Sequence, residues 1–458
     1  MGLRFFANVN VIFFSQVANR AMAFLIAVVL ARGLGPDARG DYALFVLSTA
    51  LAASLGSLGI SLGTTYFVSK GKHEVTVLLG NSHFLVLAMG ALIAAILAGV
   101  GLGIEPKAFV EGRSYWLYVF AVPLGLEFVL ATAVLVGKER FMALNLSLLS
   151  QTLVLTVGAT VLWIGGWMTI FSVLAVWVFS YALASLLALA SVGLGELSLR
   201  RTLRPDLMVL REQIQFGLPG QAGNILTRLN YRLDQYVVRA FRSRADVGFY
   251  AVATGLAEAV WWISNAVSMA LMPRLARMKA ERAGELAPIA CRNTLLASLV
   301  AGAGLAAVAP LVVEPLFGSE FGPAVTPIFW LLPGIIALSG TKVLASYFFS
   351  QARLTIVSLV ALISLAATLA FDFLLIPRFG ISGAAAASSI AYSVSFVTAL
   401  YFYRQISGNS AWSCVFPQMA DVHLYVDLGR RLRSLRVSNG PAGVEEAGVQ
   451  ASQRGGGH

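Results

Sequence analysis

The chain has 458 residues, of which 58% are apolar and only 12% charged, with a formal net charge of +11. A soluble domain carries about 25% charged and about 45–50% apolar residues, and a mean hydropathy of +0.79 leaves too little polar surface for an aqueous exterior. Soluble enzymes, disulfide-stapled secreted scaffolds and disordered regulators are thereby excluded, and a polytopic membrane protein is what remains.

A transmembrane helix needs about 20 mostly apolar residues. Apolar runs broken by charges, Gly or Pro predict spans near 9–31, 42–66, 76–103, 115–136, 142–165 and 168–193. A second set falls near 214–238, 247–272, 292–317, 324–349, 354–377 and 380–403. The runs are continuous, as in AMAFLIAVVLA at 21–31, whereas a membrane barrel would alternate polar and apolar residues. A helix satisfies its own backbone in hydrocarbon. The expected fold is therefore all-α and polytopic, with about 12 transmembrane helices in two six-helix lobes. The domains expected are a lobe at 1–193, a basic linker at 194–213, a second lobe at 214–405 and a tail at 406–458. Within the tail, DVHLYVDLGRRLRSLRV at 421–437 has the apolar and basic faces of an interfacial helix. The small, polar, Gly-rich remainder has the composition of a disordered segment.

Of the 33 Lys and Arg residues, 21 fall on the side that carries both termini and 8 on the other. By the positive-inside rule both termini are cytoplasmic. The same bias accounts for the net charge through the anionic cytoplasmic leaflet, without a nucleic acid. Arg20 interrupts the first apolar stretch, which reads as a retained span and not as a secretory signal. Cys291 and Cys414 lie outside any CxxC spacing, and the four histidines form no HExxH pair, so neither a metal nor a bound cofactor is expected. No GxxxxGK[ST] loop for nucleotide phosphates occurs. The loops are too short to hold the acceptor and catalytic carboxylates of a polymerase or ligase.

Sliding the chain on itself by 208 residues lays 19–44 over 227–252. Arg20 then falls on Arg228, Leu25 on Leu233, Val29 on Val237, Gly40 on Gly248, Tyr42 on Tyr250 and Ala43 on Ala251. Both copies run from an odd-numbered span into the following loop, which makes the repeat parallel. Transporters use such repeats, with the substrate path between the copies near the membrane midplane.

Eight ionisable residues lie inside the spans: Arg20, Arg228, Arg232 and Lys342 against Glu127, Asp234, Glu258 and Asp372. Each costs about 2.5–3.5 kcal/mol at the bilayer centre, so most must face a bundle interior or an aqueous cavity. Arg228 and Arg232 are four apart and share a helix face. Their planar forks suit phosphate oxygens. With Arg20 from the equivalent span they form a candidate pyrophosphate site, and Lys342 is a candidate to attract the anion. Asp234 and Glu258 would hold the arginines or titrate. Glu127 and Asp372 complete the set of charge-pairing or ion-coupling candidates, and structural ion pairs are the competing reading for all of them. Pro123, Pro219 and Pro333 are candidate hinges.

GLGPDARGDYALF (33–45), RLDQYVV (232–238), ADVGFYAVA (245–253) and LLIPRFGISGAAAASSIAYS (374–393) together resemble polysaccharide transporters of the multidrug/oligosaccharidyl-lipid/polysaccharide (MOP) superfamily. The likeness is to Wzx-type flippases and covers roughly 5–405, leaving the tail outside. It implies two six-helix lobes around a central cavity, alternating access, and a bacterial cytoplasmic membrane location. It also implies a cargo of sugar units on a polyprenyl pyrophosphate, moved from the inner to the outer leaflet, with Arg20, Arg228 and Arg232 as the matching cavity cations. Many relatives draw on an H⁺ or Na⁺ gradient, and other polysaccharide synthesis proteins are expected partners. A small-molecule exporter of the same fold is the rival reading, ahead of a polymerase or ligase and of a membrane scaffold.

Overall fold

The computed structural model describes residues 2–103, 112–418 and Asp421, and every regular element among them is helical. In chain order these are α1 (Gly2–Gly56), α2 (Ile60–Lys70), α3 (Val75–Gly103), α4 (Tyr118–Gly137), α5 (Phe141–Ile164), α6 (Ile170–Val192) and α7 (Leu199–Leu203). There follow α8 (Leu207–Phe241), α9 (Arg244–Ala257), α10 (Trp261–Ala276), α11 (Ala280–Phe317), α12 (Val325–Ser350) and α13 (Leu354–Ser407).

Nine helical stretches among the described residues are long and apolar enough to cross a membrane. Two of them are double passes. At about 1.5 Å per residue the 54-residue α13 is far longer than a hydrocarbon core of about 30 Å. Non-helical dihedrals divide α1 at Gly35 and α13 at Gly380. Splitting both there and adding the more polar α8 yields the twelve passes expected.

Three details depart from the expected spans. The loop read at 32–41 is a single-residue break: Gly35 adopts φ 71° and ψ 176°, and Pro36 opens the next helix. Only glycine takes that backbone without strain, and proline suits a first helical position because its missing N–H would have no partner there. The charges of Asp37, Arg39 and Asp41 thus ride on a helix. The second span stops at Gly56, and α2 restarts after the left-handed Gly59. The eighth is α9 and α10 joined by a 3-10 turn at Glu258–Val260. By contrast α4, α8 and α12 run unbroken through Pro123, Pro219 and Pro333, while the breaks in α1, before α2 and in α13 fall on Gly35, Gly59 and Gly380.

The chain forms two compact units. The first comprises Met1–Val260, Ala301–Leu338 and Thr355–Phe396. Its core joins α1, α4, α5 and α6, with the Phe45 ring tilted against Tyr118 at 4.3 Å and edge-on to Trp177 at 5.4 Å. The second comprises Trp261–Val300, Ser339–Leu354 and Val397–His458. In it Tyr403 Oη donates to the Gly284 carbonyl at 2.7 Å. The buried Arg292 grips Asp421 through two hydrogen bonds of 2.5 and 2.7 Å and the Ser413 carbonyl at 3.2 Å. The interfacial helix expected at 421–437 lies, apart from Asp421, outside the described residues.

The segment joining α6 to α8 is pinned on one side to α2 and α3. Asn81 Nδ2 donates to the Asp206 carbonyl at 3.2 Å, and the Asp206 N–H donates back to Asn81 Oδ1 at 3.0 Å. Gln213 Nε2 donates to Thr64 Oγ1 at 2.9 Å. Lys138 bonds Glu196 at 3.0 Å, and that bond holds the Glu196 carboxyl below the usual range.

Candidate functional site

A cavity of about 970 Å³ lies in the first unit, walled by the 36–56 half of α1, by α4, α6, α8 and α9, and by Ser57 and Ser61. It follows α1 from Arg39 to Ser57, 18 residues of chain and so roughly 27 Å at helical rise. Arg228 Nη1 meets the Ala50 carbonyl at 3.4 Å midway along it. Towards the other end Gln221 Nε2 donates to the Ser54 carbonyl at 2.6 Å and to Ser54 Oγ at 2.8 Å.

The charge of the wall is one-sided. Arg39, Arg228 and Arg232 line it, and no Asp or Glu is among the lining residues. The remaining polar and aromatic groups include Gln221, Asn224, Tyr42, Tyr181 and Tyr231, set among aliphatic residues such as Val46, Leu47 and Val129. Arg232 is committed: its two terminal nitrogens donate to the two Glu258 oxygens at 2.6 and 2.7 Å. Arg228 has no carboxylate partner among the described residues. The Arg39 guanidinium lies over the Tyr42 ring at 5.3 Å, and its buried Nε has no hydrogen-bond partner among the described residues.

Arg228 and Arg232 therefore meet at one cavity. Arg20 does not join them: it is exposed on the 2–34 half of α1 and absent from the lining. Lys342 belongs to the second unit, where its Nζ sits 4.1 Å over the Trp261 ring and donates to Asn265 at 3.1 Å. Glu127 pairs with His83 at 3.1 Å between α3 and α4, away from the lining. Arg39 is the cavity cation that sequence reasoning missed. It read as a loop residue because charges cluster around it, although the Gly-Pro pair at 35–36 marks a helix start.

Behind the cavity wall lies a second polar cluster. Asp234 Oδ2 accepts from Tyr250 Oη at 2.5 Å and from Ser388 Oγ at 3.1 Å. One turn before it, Asn230 accepts from Thr368 Oγ1 at 2.9 Å, and Thr368 stands one turn before Asp372. The facing stripes of α8 and α13 thus bring both aspartates to the same interface. Asp372 is fully buried, and neither of its carboxylate oxygens has a partner among the described residues. Tyr250 and Ser388 carry no charge, so a search for intramembrane charges passes over them.

A helical membrane protein of twelve passes, with an arginine-lined cavity in its first unit, has the fold of the MOP superfamily. Residues 5–279 match the family described as polysaccharide biosynthesis protein, and the chain belongs to that family. It is similar to a probable low-salt glycan biosynthesis flippase, Agl15, of Haloferax volcanii, at 22% identity over 86% of this chain and 84% of that protein. Among solved structures it resembles an inward-facing multidrug resistance MATE family transporter of the MOP superfamily, with a TM-score of 0.72 and 13% identity over 85% of this chain and 95% of that one. It equally resembles the lipid II flippase MurJ in an inward closed conformation, at TM-score 0.72 and 11% identity over 87% and 90% of the two chains. The resemblance in the loop and helix motifs thus extends to the whole fold.

Proposed function

We propose that the chain moves oligosaccharide repeat units, carried on a polyprenyl pyrophosphate, from the inner to the outer leaflet of the bacterial cytoplasmic membrane by alternating access. Their destination is surface polysaccharide or exopolysaccharide, and both termini face the cytoplasm. The observation that carries this reading is the long cavity with three arginines and no carboxylate on its wall. Neither glycan hydroxyls nor a pyrophosphate can cross hydrocarbon without partners, since each unsatisfied polar group costs several kcal/mol. Here Arg228 meets the pyrophosphate, and Arg39 offers a second fork towards the Gly35 end. Arg232, tied to Glu258, positions the face of α8 on which Arg228 sits. Gln221, Asn224 and the tyrosines offer donors and acceptors to sugar hydroxyls. Arg20, outside the lining, has no part in this cargo site.

An H⁺ or Na⁺ gradient drives the cycle in this reading, through the Asp234–Asp372 cluster. A buried carboxylate without hydrogen bonds is neutralised by a proton or by a cation. Charge exchange there, against the helix that carries Arg228, would link ion entry to cargo release.

The test uses purified protein in liposomes holding a labelled polyprenyl-pyrophosphate oligosaccharide, with leaflet exposure followed by an impermeant glycan-modifying enzyme. Wild type should accelerate exposure under an ion gradient, and the Arg39→Ala/Arg228→Ala variant should not. A wild type no faster than empty liposomes, with gradient-driven export of small organic ions in the same preparation, would establish the small-molecule exporter instead.

A further inference from the structure

We propose that the segment joining α6 to α8 is a docking surface for anionic phospholipid headgroups. α6 is one of the membrane-crossing helices, and the following pass, α8, opens only four residues after Leu203. The short segment between them is thus confined to the membrane surface. It is ordered and two-sided. One side is anchored in protein: Thr202 is buried, Val209 packs with Phe67 and Leu78, and Asp206 is tied to Asn81.

The other side presents Leu203, Leu207 and Met208 at 64%, 68% and 76% exposure. On the same segment Arg200, Arg201, Arg204 and Arg211 are all exposed. None of these four guanidiniums has an ion-pair or hydrogen-bond partner among the described residues. The neighbouring basic residues differ. Lys72 pairs with Glu212 at 2.7 Å, Lys138 with Glu196 at 3.0 Å, and Arg140 donates to the Ser191 and Val192 carbonyls at the end of α6. The segment's acids are likewise spent. Glu196 and Glu212 hold those lysines, and Asp206 Oδ1 caps α8 by accepting from the Met208 and Val209 N–H groups at 3.1 Å each.

Three exposed apolar side chains on a segment with four arginines lacking ion-pair partners among the described residues match one occupant, the boundary between acyl chains and phosphodiesters. Leu203, Leu207 and Met208 enter the acyl edge, as the apolar face of an interfacial helix does. The guanidinium forks engage phosphate oxygens. Zwitterionic lipid offers the same phosphate with a compensating cation, so the surface should discriminate by net charge. Polybasic segments near a membrane gain about 1 kcal/mol per Arg, which corresponds to roughly fivefold in lipid retention for each.

The full-length protein, in nanodiscs of mixed phosphatidylglycerol and phosphatidylcholine, is released for native mass spectrometry and the retained lipids are counted. Wild type should keep phosphatidylglycerol preferentially. Arg200→Gln/Arg201→Gln/Arg204→Gln/Arg211→Gln should reduce that preference by at least tenfold, and the matching Arg→Lys variant should retain most of it. A Gln variant with the wild-type preference would overturn the proposal. Should the quadruple variant not fold, a polarity-sensitive dye on Met208→Cys gives a second readout. Its emission should shift to the blue in phosphatidylglycerol relative to phosphatidylcholine, and the difference should shrink in high salt. Identical, salt-insensitive emission in both lipids would refute the dock.

Discussion

Gly40 and Gly248 lie against each other. A Cβ on Gly40 would stand 2.1 Å from the Arg244 carbonyl oxygen, and one on Gly248 would stand 2.1 Å from the Pro36 carbonyl oxygen. The two glycines occupy the same place in the 208-residue repeat, as do Pro36 and Arg244. The 36–56 half of α1 and α9 therefore cross at a self-matching point, beside the Asp41–Arg244 pair at 3.3 Å. Neither backbone can accept a methyl group there without moving.

Gly40→Ala and Gly248→Ala should each destabilise the protein by about 1–3 kcal/mol, the range for overpacking, and by similar amounts. The double variant should cost little more than either single one, because one methyl already forces the backbones apart. Thermal melting in detergent measures both; additive costs would mean that the two contacts are independent. If the proposed alternating-access cycle opens the cavity at the Gly35 end, this crossing must part. Both variants should therefore speed labelling of Ala43→Cys by an impermeant maleimide.

The passes themselves were legible in the sequence, because a hydrocarbon solvent demands long apolar helices and little else. The repeat was legible too: the Gly-x-Tyr coincidence at 40–42 and 248–250 marks the crossing. Arg39 was not, because hydropathy reads a charged stretch as a loop, whereas the backbone needs only Gly35 to turn. Arg20, matched to Arg228 in the repeat, is exposed on the 2–34 half of α1 and not in the cavity lining. Its match to Arg228 in the repeat fixes its place along the helix axis, but the direction in which each helix presents that place depends on its neighbours. The Asp234 cluster was half visible, since two of its members are the neutral Tyr250 and Ser388.

Arg228 differs from Arg232 in having no carboxylate partner among the described residues. Arg228→Ala should leave the fold intact and reduce glycolipid exposure at least tenfold. Arg228→Lys should fall between the two, because an ammonium keeps the charge and loses the fork. Arg232→Ala should instead lower thermal stability, since it strands Glu258 in a partly buried site. Equal transport by wild type, Arg228→Ala and Arg228→Lys would remove Arg228 from the cargo site.

The Arg292–Asp421 pair is 4% and 5% exposed and ties the end of the described chain to α11. Its hydrogen bonds from Arg292 hold the Asp421 carboxyl below the ordinary carboxylate range. A depressed pKa in the folded state adds stability above the unfolded value of about 3.9, and that stability is lost as pH falls through the folded value. Melting temperature should therefore decline below about pH 4 in part through this pair. Asp421→Asn should lower stability at pH 7 and flatten the acid limb. An acid limb unchanged in the variant would assign it to other carboxylates.

Asp372 separates a coupling role from a structural one. Both of its oxygens are buried and without partners among the described residues, so Asp372→Asn deletes no hydrogen bond and removes a group whose charged form would cost several kcal/mol. A structural ion pair would make that variant unstable. A coupling group predicts the reverse: an unchanged or raised melting temperature together with loss of gradient-driven glycolipid exposure. Asp234→Asn offers the contrast, because it weakens the acceptor that serves Tyr250 and Ser388 and should cost about 1–2 kcal/mol. Running both variants with an H⁺ gradient and with a Na⁺ gradient identifies the ion. If Asp372→Asn still responds to each gradient as wild type does, Asp372 does not carry the coupling charge, and the proposed link from ion to cargo through α8 fails with it.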